Sequence, residues 1–279
     1  MKPDWLKVKI PLGGSYVKLK SLVTGSTHTI CEEAKCPNLA ECWGRGTATF
    51  LILGDYCTRN CPYCDVKHGI PLKVDPHEPE KVANIIKEMG IRYAVITSVT
   101  RDDLQDGGAR MFKKTITAIK KIAQAKVEVL TPDFRGNIDS IKSILAAEPD
   151  VFAHNIETVE RLFPTMRPGY TYNQSLQFLK NIKEMNPKQA TKSSIMLGLG
   201  EIDKEVIKTM RALRFAKVDI LTLGQYLQPS KDHTPVLKYY TPEEFSEFKR
   251  IGYELGFSHV ESGPLVRSSY HAEDAVHES

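Results

Sequence analysis

The strongest constraint on the fold is an alternation that begins after residue 48, where short β-rich runs are separated by longer segments of helical periodicity. In α/β proteins each strand returns to a parallel neighbour through a helix, so this pattern predicts a parallel sheet covered by helices. The predicted strands are 49–53, 93–97, 127–130, 151–154, 193–199 and 219–223. The predicted helices are 78–89, 109–125, 137–147, 173–185, 202–216 and 241–256. We therefore predict an α/β fold with a barrel-like middle.

Two segments, residues 1–48 and the tail beyond residue 262, do not follow this alternation. The predicted organisation is an N-terminal extension (1–48), a core (49–262) and a C-terminal segment (263–279). Because both extensions fall outside the core, we expect them to meet.

Polar residues follow each predicted strand at its carboxyl end. They include acids, hydroxyls and amides that simple chain reversal does not need, as in Thr100-Arg101-Asp102, Thr131-Pro132-Asp133 and Asn155-Ile156-Glu157. In parallel barrels the loops at this end form the active face. We predict a functional site there.

Composition excludes several classes of protein. The chain has 279 residues and a formal charge of only +4, too small to indicate a nucleic-acid binder. Its longest apolar runs are strand-sized, well short of the ~20 residues of a membrane helix. The first residues do not resemble an export or import signal, so we expect a cytoplasmic protein without nucleic-acid or membrane partners.

All six cysteines lie between positions 31 and 64, which is unlike a disulfide scaffold and typical of metal or redox ligands. Cys57, Cys61 and Cys64 directly follow the first predicted strand. A [4Fe–4S] cube normally takes four cysteines, so three would leave one iron open to a small molecule. The alternative is a zinc site completed by a histidine such as His68.

The C-x3-C-x2-C string, with an aromatic residue before its last cysteine, resembles the radical S-adenosylmethionine superfamily. The resemblance implies a partial (β/α)6 TIM-type barrel, S-adenosylmethionine on the open iron, and its reductive cleavage to a 5′-deoxyadenosyl radical. It further implies cofactor contacts from Tyr63 near the adenine and from Gly107 and Gly108 near the methionyl amine. Asn155 and Glu157 would bind the ribose hydroxyls, although turn and helix-capping chemistry is the alternative for these positions.

A second triad, Cys31, Cys36 and Cys42, has C-x4-C-x5-C spacing. This string upstream of the first triad resembles lipoyl synthases, as do Pro132-Asp133-Phe134-Arg135-Gly136 and Arg267-Ser268-Ser269-Tyr270. The resemblance implies two [4Fe–4S] clusters, with the N- and C-terminal extensions holding the auxiliary one. Ser269, in preference to Ser268, would be its fourth ligand. A hard oxygen ligand on iron would make that cluster labile, and we interpret the serine as a release device.

The family reaction inserts two sulfur atoms, at C6 and C8 of an octanoyl chain on a carrier lysine, with the auxiliary cluster as sulfur source. It implies an octanoylated lipoyl carrier domain or a glycine-cleavage H protein as substrate, an electron donor such as ferredoxin or flavodoxin, and an iron–sulfur cluster carrier. Mild positive charge suits an acidic carrier, with Arg45, Lys67, Arg135 and Arg267 as candidate contacts.

Three other interpretations stay open at this point. The chain could be another sulfur-inserting radical enzyme, similar to biotin synthase. It could be a structural zinc module completed by His28 and His68, or an electron-transfer ferredoxin fused to an α/β domain.

Overall fold

The computed structural model describes residues 3–6, 28–29, 36 and 38–276. Its sheet runs in the order β1 to β8 with every neighbour consecutive, and all pairs from β2 to β8 are parallel. The strands are β1 His28–Thr29, β2 Thr47–Ile52, β3 Tyr93–Ser98, β4 Lys126–Leu130, β5 Val151–Ala153, β6 Ala190–Leu197, β7 Ile220–Gln225 and β8 His259–Gly263. The helices are α1 Leu39–Gly44, α2 Glu78–Met89, α3 Ala109–Ile122, α4 Ile138–Leu145, α5 Phe163–Met166, α6 Tyr172–Met185, α7 Asp203–Phe215 and α8 Pro242–Glu254.

The strands are buried on both faces, which explains why they read as continuous apolar runs instead of alternating patterns. All six residues of β2 are buried, and so are all six of β7. The helices begin and end at residues that favour capping or termination. Gly90 ends α2 with a φ of 65°, and Thr171 begins α6 with a capping box closed by Gln174.

The predicted partial α/β barrel is confirmed, with one parallel strand more than the six expected. β8 pairs with β7, and β1 adds an antiparallel edge next to β2. No pairing joins β8 to β1 or β2 in the described chain, so the sheet stays open. The domain boundaries remain a prediction, although β8 straddles residues 262 and 263.

Residues 264–276, which we call the C-terminal strap, return across the open barrel. The strap starts at the carboxyl ends of the strands, where the Arg267 guanidinium donates to the carbonyl of Gln225, the last residue of β7. It ends at their amino ends, where Ala275 packs against Val151 and Ile220. The strap therefore runs the length of the barrel.

No helix in the described part of the chain is long and apolar enough to cross a membrane.

Candidate active site

The first cysteine triad lies at the carboxyl end of the sheet, as predicted. The Cys57 amide donates to the Lys67 carbonyl at 2.8 Å, and the Gly69 amide donates to the Cys57 carbonyl at 3.0 Å. The Cys57 sulfur accepts backbone N–H groups from Arg59 at 3.4 Å and from Thr100 at 3.3 Å. The first ligand position is thus fixed by backbone contacts from two loops.

Burial dominates the chemistry of the other two thiols. It raises the pKa of Cys61, an effect that the Arg167 cation opposes, and it raises the pKa of Cys64 to about 12. Repulsion from the neighbouring thiols adds to both shifts. Protons held here must leave when a metal binds, because only the thiolate is a ligand.

An arginine in the cysteine loop clamps it to the loops after β3 and β4. The Arg59 guanidinium donates to both oxygens of Asp102, at 2.8 and 2.9 Å, and to both oxygens of Asp133. The Asp133 side chain is fully buried and Arg59 holds its pKa below the usual range, against the cost of burial. Thr58 adds a second fastening, because its hydroxyl donates to the Thr100 carbonyl.

The cysteine loop after β2 carries Tyr63, and the segment after β5 carries Asn155 and Glu157 at the same end of the sheet. Partial burial raises the pKa of the Glu157 carboxyl. The Asn155 amide donates to that carboxyl, while the Asn155 Oδ1 is a buried acceptor without a partner. Tyr63, which directly precedes Cys64 in the chain, packs with Met166, Leu199 and Tyr226.

Glu157 stands in the left-handed region with a φ of 66°, which is costly for a non-glycine residue and typical of functional sites. It begins no helix, because its amide donates to Ser194 and its carbonyl accepts from Met196 in β6. The helix-capping alternative for this residue is therefore wrong.

Gly107 and Gly108 lie beside the clamp. Both have positive φ, 61° and 95°, and an added Cβ would come within 2.8 Å of the Phe134 ring and 2.3 Å of the Leu53 side chain. The positive φ and the close packing are together a sufficient structural reason for glycine at both positions. Their contact with a methionyl amine stays a prediction.

Sequence reasoning missed Arg167, which the structure places at the centre of the site. Its guanidinium donates to the Asn155 carbonyl at 2.7 Å and lies 3.7 Å from Asp133. Nothing in Met166-Arg167-Pro168 singles it out as a sequence motif. Arg59, Asp102 and Asp133 carried a weak signal, since all three fall in polar loops at strand ends.

His154 lies close to the same group of side chains. It is buried between the Thr131 carbonyl and the Ser175 hydroxyl, at 3.0 and 3.1 Å from its two ring nitrogens. Burial lowers the pKa of His154 to about 4, and repulsion from Arg167 adds to the shift. The ring is therefore neutral near pH 7.

A second cavity brings together residues of both chain ends. It is lined by Cys36, Asn38, Leu39, Cys42, Thr47, Ala48, Thr49, Arg267, Ser269 and Tyr270. Of the two neighbouring serines, Ser269 lines it, and its Oγ accepts from the Thr49 hydroxyl at 2.9 Å. Burial raises the pKa of Cys36, and the Arg267 cation opposes that shift. Cys31 lies outside the described residues.

The side chains at both thiol sites are of the kinds that bind an iron–sulfur cluster. Within the part of the chain that the structure describes, no three His, Cys, Asp or Glu side chains are arranged to hold a single metal ion. A [4Fe–4S] cube has a different requirement, because each cysteine binds a different iron. The three thiols of the loop after β2 offer such a donor set at one site, and two cysteines with a serine oxygen offer one in the second cavity.

Comparison with known proteins first defines the class. The family model of the radical SAM superfamily matches residues 51–213. Methylornithine synthase (PylB) has a similar fold, with a TM-score of 0.57 at 11% identity over 88% of this chain and 81% of that one. HydG, a maturase of the [FeFe]-hydrogenase, has a TM-score of 0.59 at 13% identity over 93% of this chain and 70% of that one. The chain is a member of the radical SAM superfamily.

Curated relatives narrow the class further. A lipoyl synthase from Rubrobacter xylanophilus is 54% identical over 100% of this chain and 87% of its own length. One from Halalkalibacterium halodurans is 53% identical over 100% of this chain and 93% of its own length. The model for the N-terminal domain of lipoyl synthase matches residues 1–36. The chain belongs to the lipoyl synthase family, which removes the support for the zinc-module and ferredoxin interpretations.

Proposed function

We propose that this chain is the enzyme that inserts two sulfur atoms, at C6 and C8 of a protein-bound N6-octanoyl-lysine, to give N6-lipoyl-lysine. The observation that carries the proposal is the second cavity, where Cys36 and Cys42 of the N-terminal region meet Ser269 of the strap. A radical SAM barrel needs only the first triad for radical formation. A second thiol site completed by a serine supports lipoyl synthesis over the biotin-synthase-like alternative, a different sulfur insertion whose auxiliary cluster would be ligated differently.

The residues of the two sites would hold two [4Fe–4S] clusters, with Cys57, Cys61 and Cys64 at one and Cys31, Cys36, Cys42 and Ser269 at the other. When bound, the first cluster with S-adenosylmethionine supplies a 5′-deoxyadenosyl radical, and the auxiliary cluster supplies sulfur. The chain's own part is to orient and to exclude water, since a carbon radical is quenched by nearly any neighbour. Tyr63, Asn155 and Glu157 would hold the adenosyl group, and Gly107 and Gly108 would lie near the methionyl amine.

Strand β2 connects the two sites directly. Thr49 lines the auxiliary cavity, while Cys57 follows Ile52 at the strand's end. Thr49 and Ile52 are three residues apart, about 10 Å along an extended strand. Cys57 lies five residues beyond Ile52, so the buried strand together with the loop that follows it sets the spacing between the two sites.

Partners follow from this function. We propose an octanoylated lipoyl carrier domain or glycine-cleavage H protein as substrate, a ferredoxin- or flavodoxin-like electron donor, and an iron–sulfur cluster carrier, in the cytoplasm. Arg135 and Lys67, with side chains 69% and 61% exposed, are available to an acidic carrier. Arg45, 37% exposed and paired with Glu273 and Asp274, and Arg267, whose guanidinium donates to backbone carbonyls of Gln225 and Val266, are less accessible candidates.

The test is anaerobic incubation of iron–sulfur-reconstituted protein with S-adenosylmethionine, dithionite and an octanoyl-lysine peptide, following 5′-deoxyadenosine and peptide mass together. We expect Cys57→Ala to abolish deoxyadenosine. Ser269→Ala should keep deoxyadenosine but lower sulfur addition by about 10- to 100-fold, as loss of metal-site partners does, whereas the matched control Ser268→Ala should stay close to wild type. Deoxyadenosine without a dithiolated peptide in the wild type would reject the substrate. Full sulfur insertion by Ser269→Cys would reject the serine as a release device.

A further inference from the structure

The strap is fastened to α1 and to the start of β2 by a row of polar contacts. The Asn38 amide donates to the Leu265 carbonyl at 2.6 Å, next to Cys36. Further along, Thr49 contacts Ser269 at 2.9 Å, and Glu41 contacts Tyr270 at 3.0 Å and His271 at 2.8 Å. At the end of the row, Arg45 contacts Glu273 at 2.5 Å and Asp274 at 2.6 Å, and Thr47 contacts Glu273 at 2.8 Å.

Arg45 is the cation of this row. Its Nε and Nη2 reach two different carboxylates of the strap, so one side chain fixes two consecutive strap residues. The Arg45 side chain is 37% exposed, whereas Glu273 is only 14% exposed. The apolar anchors of this stretch are small, chiefly Ala272 and Ala275. The ion pairs of Arg45 therefore add to these small apolar contacts at the strap's end.

The same row brackets the auxiliary cavity. In the N-terminal segment, Cys42 lies between Glu41 and Arg45, which both contact the strap. In the strap, Ser269 directly precedes Tyr270, which contacts Glu41. Fixing strap residues 270–274 against residues 41–47 thus fixes the Ser269 oxygen relative to Cys42. The Arg45 backbone amide donates to the carbonyl of Cys42 at 3.1 Å, a contact that a side-chain substitution leaves in place. The Arg45 side chain instead reaches Glu273 and Asp274 and is not part of the cavity lining, so we expect its effect on the cavity to pass through the strap.

We propose that Arg45 is a positioning residue whose ion pairs with Glu273 and Asp274 hold the strap so that Ser269 faces Cys36 and Cys42 across the auxiliary cavity. The inference rests on the proposed function, because it assigns that cavity to the auxiliary cluster. It adds a role that neither the cysteine motifs nor the Arg-Ser-Ser-Tyr segment contains.

The first test uses metal-free protein and amide hydrogen exchange in the strap. Tyr270 and Asp274 are suitable reporters, because their amides donate to Arg267 and His271 within the strap. Arg45→Gln should raise exchange of residues 264–276 by about two- to fivefold, within the range that exposed ion pairs contribute. Arg45→Lys should restore part of the protection. Arg250→Gln is the matched control, because Arg250 also joins two carboxylates, Glu247 and Glu254, on α8.

The second test follows iron release to a chelator from two backgrounds. In a Cys57→Ala, Cys61→Ala, Cys64→Ala background, Arg45→Gln should speed iron loss about tenfold and change the electron paramagnetic resonance spectrum of the remaining cluster. In a Cys31→Ala, Cys36→Ala, Cys42→Ala background the same substitution should change neither. Equal strap exchange in Arg45→Gln and Arg250→Gln, or equal acceleration in both backgrounds, would overturn the proposal. A wild type that binds no iron at the auxiliary cysteines would instead overturn the proposed function, and the exchange experiment would still decide the role of Arg45.

Discussion

At the scale of single residues, the site is organised by charges that are far apart in sequence. Arg59 lies 43 residues from Asp102 and 74 from Asp133, yet it donates to both. Polar residues at strand ends predicted where these acids would lie, because parallel strands end at one edge. Which acid meets which arginine depends on loop paths that no local pattern encodes. The cysteines could be found from spacing alone, whereas Arg167 could not be found at all.

Arg59→Gln should destabilise the metal-free protein by about 3 kcal/mol, because it leaves the carboxylate of the fully buried Asp133 with a single distant cation. The measurement is urea unfolding. Arg250→Gln, which removes an exposed arginine with two carboxylate partners, should change the free energy of unfolding by less than about 1 kcal/mol. Equal losses in the two variants would show that the clamp contributes no more than a surface pair.

At the scale of elements, periodicity predicted the long helices and six parallel strands with ends within a few residues of those observed. It missed β8, whose sequence His259-Val260-Glu261-Ser262-Gly263 has a single β-branched apolar residue. Intrinsic strand propensity predicts a strand poorly where pairing with a neighbouring strand determines its conformation. Here β8 pairs with β7. The six-residue α1 was missed for a similar reason, because so short a helix depends on tertiary packing.

Contact between β7 and the strap depends on one glycine. A Cβ added at Gly224 would lie 2.0 Å from the Val266 carbonyl oxygen, which is backbone and cannot rotate away. Gly224→Ala should therefore displace the strap and lower the free energy of unfolding by about 1–3 kcal/mol, the usual cost of overpacking. Gly44→Ala is the control, because nothing lies within 4 Å of its added Cβ in α1. Limited proteolysis of the strap and urea unfolding measure both effects, and an unchanged cleavage rate in Gly224→Ala would contradict the argument.

For the whole molecule, the structure brings the described parts of the two chain ends together, through contacts between residues 38–49 and 265–274. The sequence predicted that meeting only because neither end fits the core pattern. The strap then does two things with one segment. It covers the open barrel from the carboxyl to the amino ends of the strands, and it supplies the serine to the auxiliary cavity.

The interior of the barrel also holds a polar cluster made of three different strands. Lys192 donates to both Glu128 oxygens, at 3.0 and 3.1 Å, and the Tyr93 hydroxyl donates to Glu128 at 2.9 Å. Lys192 and Glu128 side chains are each only 2% exposed. Their mutual attraction has to offset the loss of hydration of both charges, so a buried pair of this kind contributes little net stability.

Removing one partner should lower the free energy of unfolding far more than removing all three polar groups. Lys192→Met should lower the free energy of unfolding by about 3–5 kcal/mol, because it leaves Glu128 buried without its cation. The triple variant Lys192→Met, Glu128→Leu, Tyr93→Phe should recover most of that loss, since no buried polar group is left without a partner. Urea unfolding of the two variants beside the wild type measures the difference. A triple variant no more stable than Lys192→Met would mean that this ion pair, by joining β3, β4 and β6, contributes directly to barrel stability.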